Sequence, residues 1–167
     1  QTQRLLFRHN MERLGNIFAY EISKYLNYES KEIDTPLGIA NMNVPAGRVI
    51  LCTILRAGLP LHYGILNFLD FADNAFIAAY RKNHKDGTFE INLEYVTCPD
   101  LEGATLILVD PMLATGASLD AALQALDEYG KFSSLHIVTA IASSYGVEYI
   151  KRLYPNAHLW MAAQDDE

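Results

Sequence analysis

The chain has 167 residues, of which 50% are hydrophobic and 20% charged, a composition typical of a folded globular domain. Its net charge of −7 comes from 13 basic and 20 acidic residues, and because the basic residues are scattered, extended contact with nucleic acid is excluded. No apolar run approaches the ~20 residues that span a bilayer, and the two cysteines, Cys52 and Cys98, do not make a disulfide framework.

The first third of the chain predicts a helix, a two-stranded arm and a buried strand. The apolar residues at helical spacing are Phe7, Met11, Leu14, Phe18, Ile22 and Tyr25. Pro36 and Gly47 bracket a stretch in which Ala40, Met42 and Val44 alternate, as expected of paired strands. Residues 49–55 are continuously apolar, which suits a parallel strand buried on both faces.

The remainder of the chain alternates between strands and helices. Helices are predicted over residues 58–69, 118–129 and 145–153, and strands over residues 75–80, 104–109, 135–141 and 157–162. After the strand at 75–80, a polar stretch with the turn signal Asp86-Gly87 predicts a hairpin, with Ile91, Leu93 and Tyr95 alternating on its return arm. This order predicts an α/β fold with a mostly parallel, twisted sheet and helices on both faces.

The junction at residues 105–118 is the most informative segment for function. A buried strand ends at Asp110, and small residues then lead into a helix that begins at Ser118. The first N–H groups of a helix lack internal partners and the helix dipole adds positive charge there, so the junction suits a phosphate, with Thr115 and Ser118 as further donors. Asp110 is placed to accept hydrogen bonds from sugar hydroxyls. On spacing alone, a plain strand–turn–helix with Ser118 as its cap explains the segment equally well.

Residues 109–118 resemble the phosphoribosyl-pyrophosphate (PRPP) signature of type I phosphoribosyltransferases, and Asp-Pro-Met-Leu-Ala-Thr-Gly is similar to its form in uracil phosphoribosyltransferases. Like this chain at Pro111, those enzymes have a proline at the position where other type I phosphoribosyltransferases have a second acidic residue. They have glycine where this chain has Ala117, which is acceptable if residue 117 avoids positive φ. The resemblance assigns PRPP binding to Asp110, Pro111, Met112, Leu113, Ala114, Thr115, Gly116, Ala117 and Ser118.

Two arginines extend the predicted site. Arg56, Ala57 and Gly58 follow the buried strand at 49–55 and resemble the family's pyrophosphate loop. Since Arg56 and Asp110 follow parallel strands, we expect them at one edge of the sheet, where a guanidinium binds phosphate oxygens in a bidentate way. Arg81, expected to end its strand, resembles the second pyrophosphate-binding arginine at the base of a flexible β-hairpin hood.

The resemblance implies an enzyme that forms UMP and diphosphate from uracil and PRPP. Asp110, Arg56 and Arg81 are the expected catalytic residues, and Mg²⁺ is expected to arrive with PRPP, without a direct protein ligand. It further implies a cytoplasmic homo-oligomer without nucleic-acid or membrane partners. A single domain is expected, with a helix and β-arm over residues 1–47 and a core over 48–167. The residues that bind uracil are unknown and expected beyond Glu167.

Two other functions remain open at this point. A regulatory, non-catalytic phosphoribosyltransferase-like module would sense nucleotides or bind RNA; the intact Arg56, Arg81 and Asp110 and the acidic balance argue against it. A phosphoribosyltransferase for another base is disfavoured by the sequence Asp-Pro-Met-Leu at residues 110–113. A Rossmann dehydrogenase is excluded because no Gly-x-Gly-x-x-Gly follows a predicted strand.

Overall fold

The computed structural model describes residues 3–83 and 89–166, and describes side chains for residues 3–79 and 93–166. The helices are Arg4–Ser23 (α1), Leu59–Leu66 (α2), Ala117–Leu126 (α3) and Ser144–Leu153 (α4), with a 3₁₀ turn at Asp127–Tyr129 after α3. The strands are Tyr28–Thr35 (β1), Gly38–Pro45 (β2), Val49–Leu55 (β3), Asp73–Asn83 (β4), Phe89–Thr97 (β5), Thr105–Val109 (β6), Met112–Leu113 (β7), Ser134–Ser143 (β8) and His158–Asp165 (β9).

Within the described ranges, seven strands form one sheet. β5, β4, β3, β6 and β8 are successive neighbours, and both β7 and β9 pair with β8. The pairing of β4 with β5 is antiparallel and the others are parallel. Parallel neighbours need crossover connections, and α2, α3 and α4 lie between successive parallel strands in the chain. The predicted mostly parallel sheet is confirmed.

The side chains of the central strands alternate between two apolar clusters. On β3, Cys52 and Ile54 join the cluster covered by α3 and α4, whereas Val49 and Leu51 join the cluster covered by α1 and α2. Helices therefore cover both faces of the sheet, as the continuous apolar run of β3 predicted.

The predicted two-stranded arm forms a separate antiparallel sheet. β1 and β2 pair from Tyr28 opposite Pro45 to Thr35 opposite Gly38. Most of its side chains are exposed, since neither face of the arm packs against a helix over its full length.

The apolar stripe predicted along α1 is buried only in the second half of the helix, and its last residue, Tyr25, lies beyond the end of α1 at Ser23. Phe18 and Ile22 are buried, whereas Phe7 and Tyr25 are 54% and 57% exposed. The helix that packs on α1 is α2, which has eight residues and ends at Leu66 rather than at residue 69, so it cannot cover the 20 residues of α1. Among the residues the structure describes, no helix combines the length and apolarity needed to cross a bilayer.

The strand before the predicted hood is longer than expected. β4 continues to Asn83, so Arg81 lies inside the strand and the prediction that it ends the strand is wrong. The extension has a physical reason: β5 pairs with β4 as far as Asn83 opposite Phe89, which satisfies the backbone groups of the added residues. The predicted turn at Asp86-Gly87 lies outside the described residues.

Candidate active site

Two loops leave neighbouring strands at the same edge of the sheet. β3 ends at Leu55, just before Arg56, and β6 ends at Val109, just before Asp110. The strands are parallel neighbours, with Thr53 opposite Val109, and the Thr53 hydroxyl donates to the Val109 carbonyl at 3.3 Å. The loops that carry Arg56 and Asp110 therefore start side by side, as the sequence predicted.

Gly58 brings the first loop close to both strands. A Cβ at this position would lie 2.0 Å from Thr53 Oγ1 and 3.2 Å from the Val109 carbonyl oxygen. Gly58 is buried, whereas Arg56 and Ala57 are exposed at the surface, and the Leu55–Arg56 peptide bond is cis. Glycine is required here for close backbone approach, since its φ of −71° is open to any residue.

The second loop is attached to β8 over most of its length. The N–H of Asp110 donates to the Val138 carbonyl at 3.1 Å, and the Pro111 carbonyl accepts from the N–H groups of Ala140 and Ile141 at 3.0 and 3.2 Å. The next two residues pair with β8 as the short strand β7. The sequence predicted an irregular loop here, because a two-residue strand has no periodicity to detect.

A left-handed glycine turns this loop into α3. Gly116 is the N-cap, with φ of +82°, and α3 begins at Ala117 rather than at Ser118 as predicted. Glycine makes this turn without steric cost. Ala117 does not have a positive φ, which was the condition for an alanine at the position where the related enzymes have a glycine. The N–H of Asp120 donates to the Gly116 carbonyl at 2.9 Å, so the N–H groups just before it have no intrahelical acceptor.

A polar pocket opens at this helix terminus. Its lining consists of Asp110, Met112, Leu113, Ala114, Thr115, Gly116, Ser118 and Leu119. Thr115 Oγ1 also accepts from the N–H of Ala117 at 3.4 Å, a weak bond that keeps the hydroxyl beside the helix terminus. Backbone donors without intrahelical acceptors, two hydroxyls and the positive end of a helix dipole make this pocket suitable for a phosphate group.

The helix α4 supports the loop from behind, through residues that the sequence did not single out. Ser143 is the N-cap of α4, and its hydroxyl accepts from the N–H of Gly146 at 2.9 Å while donating to the Ala114 carbonyl. The cap therefore joins the start of α4 to the middle of the phosphate pocket. A serine two residues before the predicted helix start at 145 is a local capping signal, but which carbonyl its hydroxyl meets depends on the fold.

Arg56 faces a separate, larger groove on the other side of Met112. The groove has a volume of about 920 Å³ and is lined by Arg56, Ala57, Pro111 and Met112 together with residues of α1 and α2. The side chain of Arg81 lies outside the described residues, so its assignment as the second pyrophosphate-binding arginine stays a prediction.

A further cavity of about 350 Å³ adjoins the phosphate pocket toward the carboxyl end of β9. It shares Met112, Leu113, Ala114 and Thr115 with that pocket. Its other lining residues are Ile141, Ser143, Tyr145 and Asp165. None of its lining residues comes from the loop of Arg56, but Met112 and Ile141 also line the groove that Arg56 faces.

Titratable groups behind the two loops are held neutral. Burial lowers the pKa of His62, one turn into α2, against a smaller opposing effect of Asn74. The His62 Nε2 lies 2.7 Å from Asn74 Oδ1, an acceptor, which assigns the proton to Nε2. Burial also raises the pKa of the Cys52 thiol on β3. Neither group lines the phosphate pocket, so neither is placed to transfer a proton in it.

The side chains at the site suit a magnesium ion that takes most of its ligands from the substrate and from water. Among the described residues, no group of three or more histidine, cysteine, aspartate or glutamate side chains is arranged to hold a metal ion. Asp110 lines the phosphate pocket and offers a carboxylate. Mg²⁺ keeps several waters and takes most other ligands from substrate phosphates, so one or two carboxylates are sufficient.

Comparisons with known proteins agree with this geometry. The family model for uracil phosphoribosyltransferase matches residues 1–167. The uracil phosphoribosyltransferase of Porphyromonas gingivalis is 47% identical over 166 residues, which cover 99% of this chain and 77% of that protein. The AQ2163 protein from Aquifex aeolicus superimposes with a TM-score of 0.90 at 28% identity, covering 99% of this chain and 78% of that one. A hypoxanthine phosphoribosyltransferase from Staphylococcus aureus shares the fold, with a TM-score of 0.62 at 12% identity over 96% of this chain and 76% of that one.

Proposed function

Because the chain belongs to the uracil phosphoribosyltransferase family, we propose that it transfers the phosphoribosyl group of PRPP to uracil, forming UMP and diphosphate. The observation that carries this proposal is the polar pocket between Asp110 and the start of α3. It combines a carboxylate suited to ribose hydroxyls with backbone donors suited to a 5-phosphate in the lining of one pocket.

The 5-phosphate binds at the N-terminus of α3. The N–H groups of residues 117–119 precede the first intrahelical hydrogen bond, so they donate to phosphate oxygens without breaking the helix. The hydroxyls of Thr115 and Ser118 add donors, and the helix dipole favours the negative charge. These contacts anchor the end of the substrate that does not react and hold the ribose for displacement.

Arg56 and Asp110 act on different groups of PRPP. Asp110 accepts hydrogen bonds from the ribose hydroxyls, and Arg56 neutralises the departing diphosphate. Transfer at an anomeric carbon passes through an oxocarbenium-like state in which negative charge develops on the leaving group, so a fixed guanidinium stabilises the transition state more than the ground state. We assign Arg81 the same role toward the diphosphate, from the sequence resemblance.

The uracil occupies the cavity of about 350 Å³ beside the phosphate pocket. In an in-line displacement the nucleophile and the leaving group lie on opposite sides of the anomeric carbon. The cavity adjoins the phosphate pocket, and Met112 and Ile141 lie between it and the groove of Arg56, where the diphosphate leaves, since they line both. This arrangement supports base binding near Tyr145 and Asp165.

Magnesium bound to PRPP would neutralise diphosphate charge and hold the substrate in one conformation, and Asp110 is the residue suited to approach it through a water molecule or a ribose hydroxyl. We also propose a cytoplasmic homo-oligomer. The free thiols of Cys52 and Cys98 agree with a reducing compartment. Light scattering during size-exclusion chromatography tests the assembly, and a monomer at micromolar concentration would contradict it.

The decisive experiment is UMP formation from labelled uracil and PRPP, with and without EDTA. We expect Mg²⁺-dependent formation of UMP and diphosphate in equal amounts. Hypoxanthine, adenine and orotate serve as competing bases, and a clear preference for one of them would identify a different phosphoribosyltransferase. RNA retention in a gel without diphosphate release would instead identify the regulatory module.

A further inference from the structure

A tyrosine of α4 packs directly against the glycine that forms the phosphate pocket. A Cβ placed on Gly116 would lie 2.6 Å from Tyr149 Cδ1 and 3.2 Å from Ile150 Cγ1. The ring of Tyr149 therefore lies flush against the backbone at the turn into α3. Any movement of Gly116 toward α4 is blocked, so the ring limits the conformations open to the loop.

The hydroxyl of the same tyrosine holds the other end of that helical turn. Tyr149 donates to Asp120 Oδ2 at 3.0 Å, and the N–H of Asp120 donates to the Gly116 carbonyl at 2.9 Å. The N–H groups that would bind phosphate lie between these two points. The guanidinium carbon of Arg152 lies over the face of the Tyr149 ring, 5.5 Å from its centre, and this cation–π contact helps to hold the ring in place.

A second tyrosine provides an internal comparison. Tyr154 donates to the other oxygen of the same carboxylate, Asp120 Oδ1, at 2.8 Å. The nearest side chains to Gly116 are those of Tyr149 and Ile150, so Tyr154 shares the carboxylate without being among the closest contacts of the turn.

We propose that Tyr149 is a positioning residue for the 5-phosphate of PRPP: its ring and its hydroxyl hold the first turn of α3 in the geometry that directs the N–H groups of residues 117–119 at the phosphate. This inference rests on the proposed function. Preorganised donors bind an anion more tightly than donors that must be ordered on binding, because the ordering cost is met during folding. Tyr149 lies behind the turn and does not line the phosphate pocket, so it acts through the backbone.

The test compares Tyr149→Leu with Tyr154→Leu in steady-state kinetics. Each variant removes a tyrosine ring and one hydrogen bond to Asp120, but only Tyr149→Leu removes the ring that packs against Gly116. A role confined to supporting Asp120 therefore predicts equal effects. We expect Tyr149→Leu to raise KM for PRPP by about three- to tenfold, the range for loss of one stabilising contact, with kcat and KM for uracil within about twofold of the parent. Tyr154→Leu should leave KM for PRPP within about twofold. An unchanged KM in Tyr149→Leu, or an equal rise in both variants, would overturn the inference.

Calorimetric titration with ribose 5-phosphate separates this inference from the proposed function. The dissociation constant should rise by the same factor in Tyr149→Leu and stay constant in Tyr154→Leu. If the parent protein forms UMP but the two variants bind ribose 5-phosphate alike, the inference alone is wrong. If the parent forms no UMP yet Tyr149→Leu selectively weakens ribose 5-phosphate binding, the inference stands and the proposed reaction is wrong. If the parent neither forms UMP nor binds ribose 5-phosphate, both are wrong.

Discussion

Gly58→Ala should damage the predicted pyrophosphate loop through one steric conflict. The new methyl carbon would lie 2.0 Å from Thr53 Oγ1, whereas ordinary contact needs at least 3.4 Å, a shortfall of about 1.4 Å. Thr53 is fully buried and its hydroxyl donates to the Val109 carbonyl, so it has little room to rotate away. The loop carrying Arg56 must therefore move.

The expected magnitude follows from that displacement. Overpacking a filled core costs about 2 kcal/mol, which for a chain of this length lowers Tm by ~4–8 °C. A shift of about 1 Å in a charge-stabilising group costs ~10²-fold in rate. We therefore expect kcat/KM for PRPP in Gly58→Ala to fall about 10²-fold, measured by UMP formation, while circular dichroism still reports a folded protein.

The matched control is the double variant Thr53→Ala/Gly58→Ala, which removes the oxygen atom that the new methyl group meets. The remaining approaches, 3.0 Å to the Ile54 carbonyl and 3.2 Å to the Val109 carbonyl, require shifts of only a few tenths of an ångström. The value of kcat/KM for PRPP should therefore be at least about tenfold higher in the double variant than in Gly58→Ala. Parent-like activity in Gly58→Ala, or no recovery in the double variant, would refute this account of the loop.

Three further predictions test other parts of the molecule. Arg56→Ala should lower kcat by ~10²–10³-fold in the UMP assay and change unfolding free energy by no more than about 0.5 kcal/mol, since the side chain is exposed; retained activity would exclude its assigned role. Ser143→Ala should cost ~1 kcal/mol in chemical denaturation through loss of the α4 cap and raise KM for PRPP, and Ser144→Ala, one residue later, should leave KM unchanged. Burial and the nearby His158 lower the pKa of His136 from 6.5 to about 4. As the pH falls from 6.5 toward 4, the unfolded chain therefore binds a proton before the folded chain does, and Tm should fall. His136→Gln should make Tm depend less steeply on pH over this range, and an unchanged dependence would contradict the assignment.

Much of the fold could be read from short-range patterns. The continuous apolar run at Val49–Leu55 predicted a strand buried on both faces, and β3 has those bounds. The predicted strands and helices after it all exist, with ends shifted by a few residues. The expectation for Arg81 failed because the end of β4 depends on pairing with β5, which its own sequence does not encode.

The functional site divides in the same way. Asp110 and the small residues that follow it could be singled out because they are consecutive in the chain, and most of the residues predicted there line the pocket at the start of α3. Their binding of PRPP stays a prediction. The supports of this pocket were not recognisable: Ser143 meets Ala114, and Tyr149 meets Asp120, each pair 29 residues apart in the chain.

The sequence by itself determined the α/β class, the order of strands and helices and the segment suited to a phosphate. Each of these depends on residues that are close to one another in the chain. Tertiary structure alone decided that the Pro111 carbonyl pairs with β8, that Gly58 lies against Thr53, and that α4 holds the turn at Gly116. These contacts join residues distant in sequence, and their geometry depends on strand register and helix packing, which arise only when the whole core is assembled.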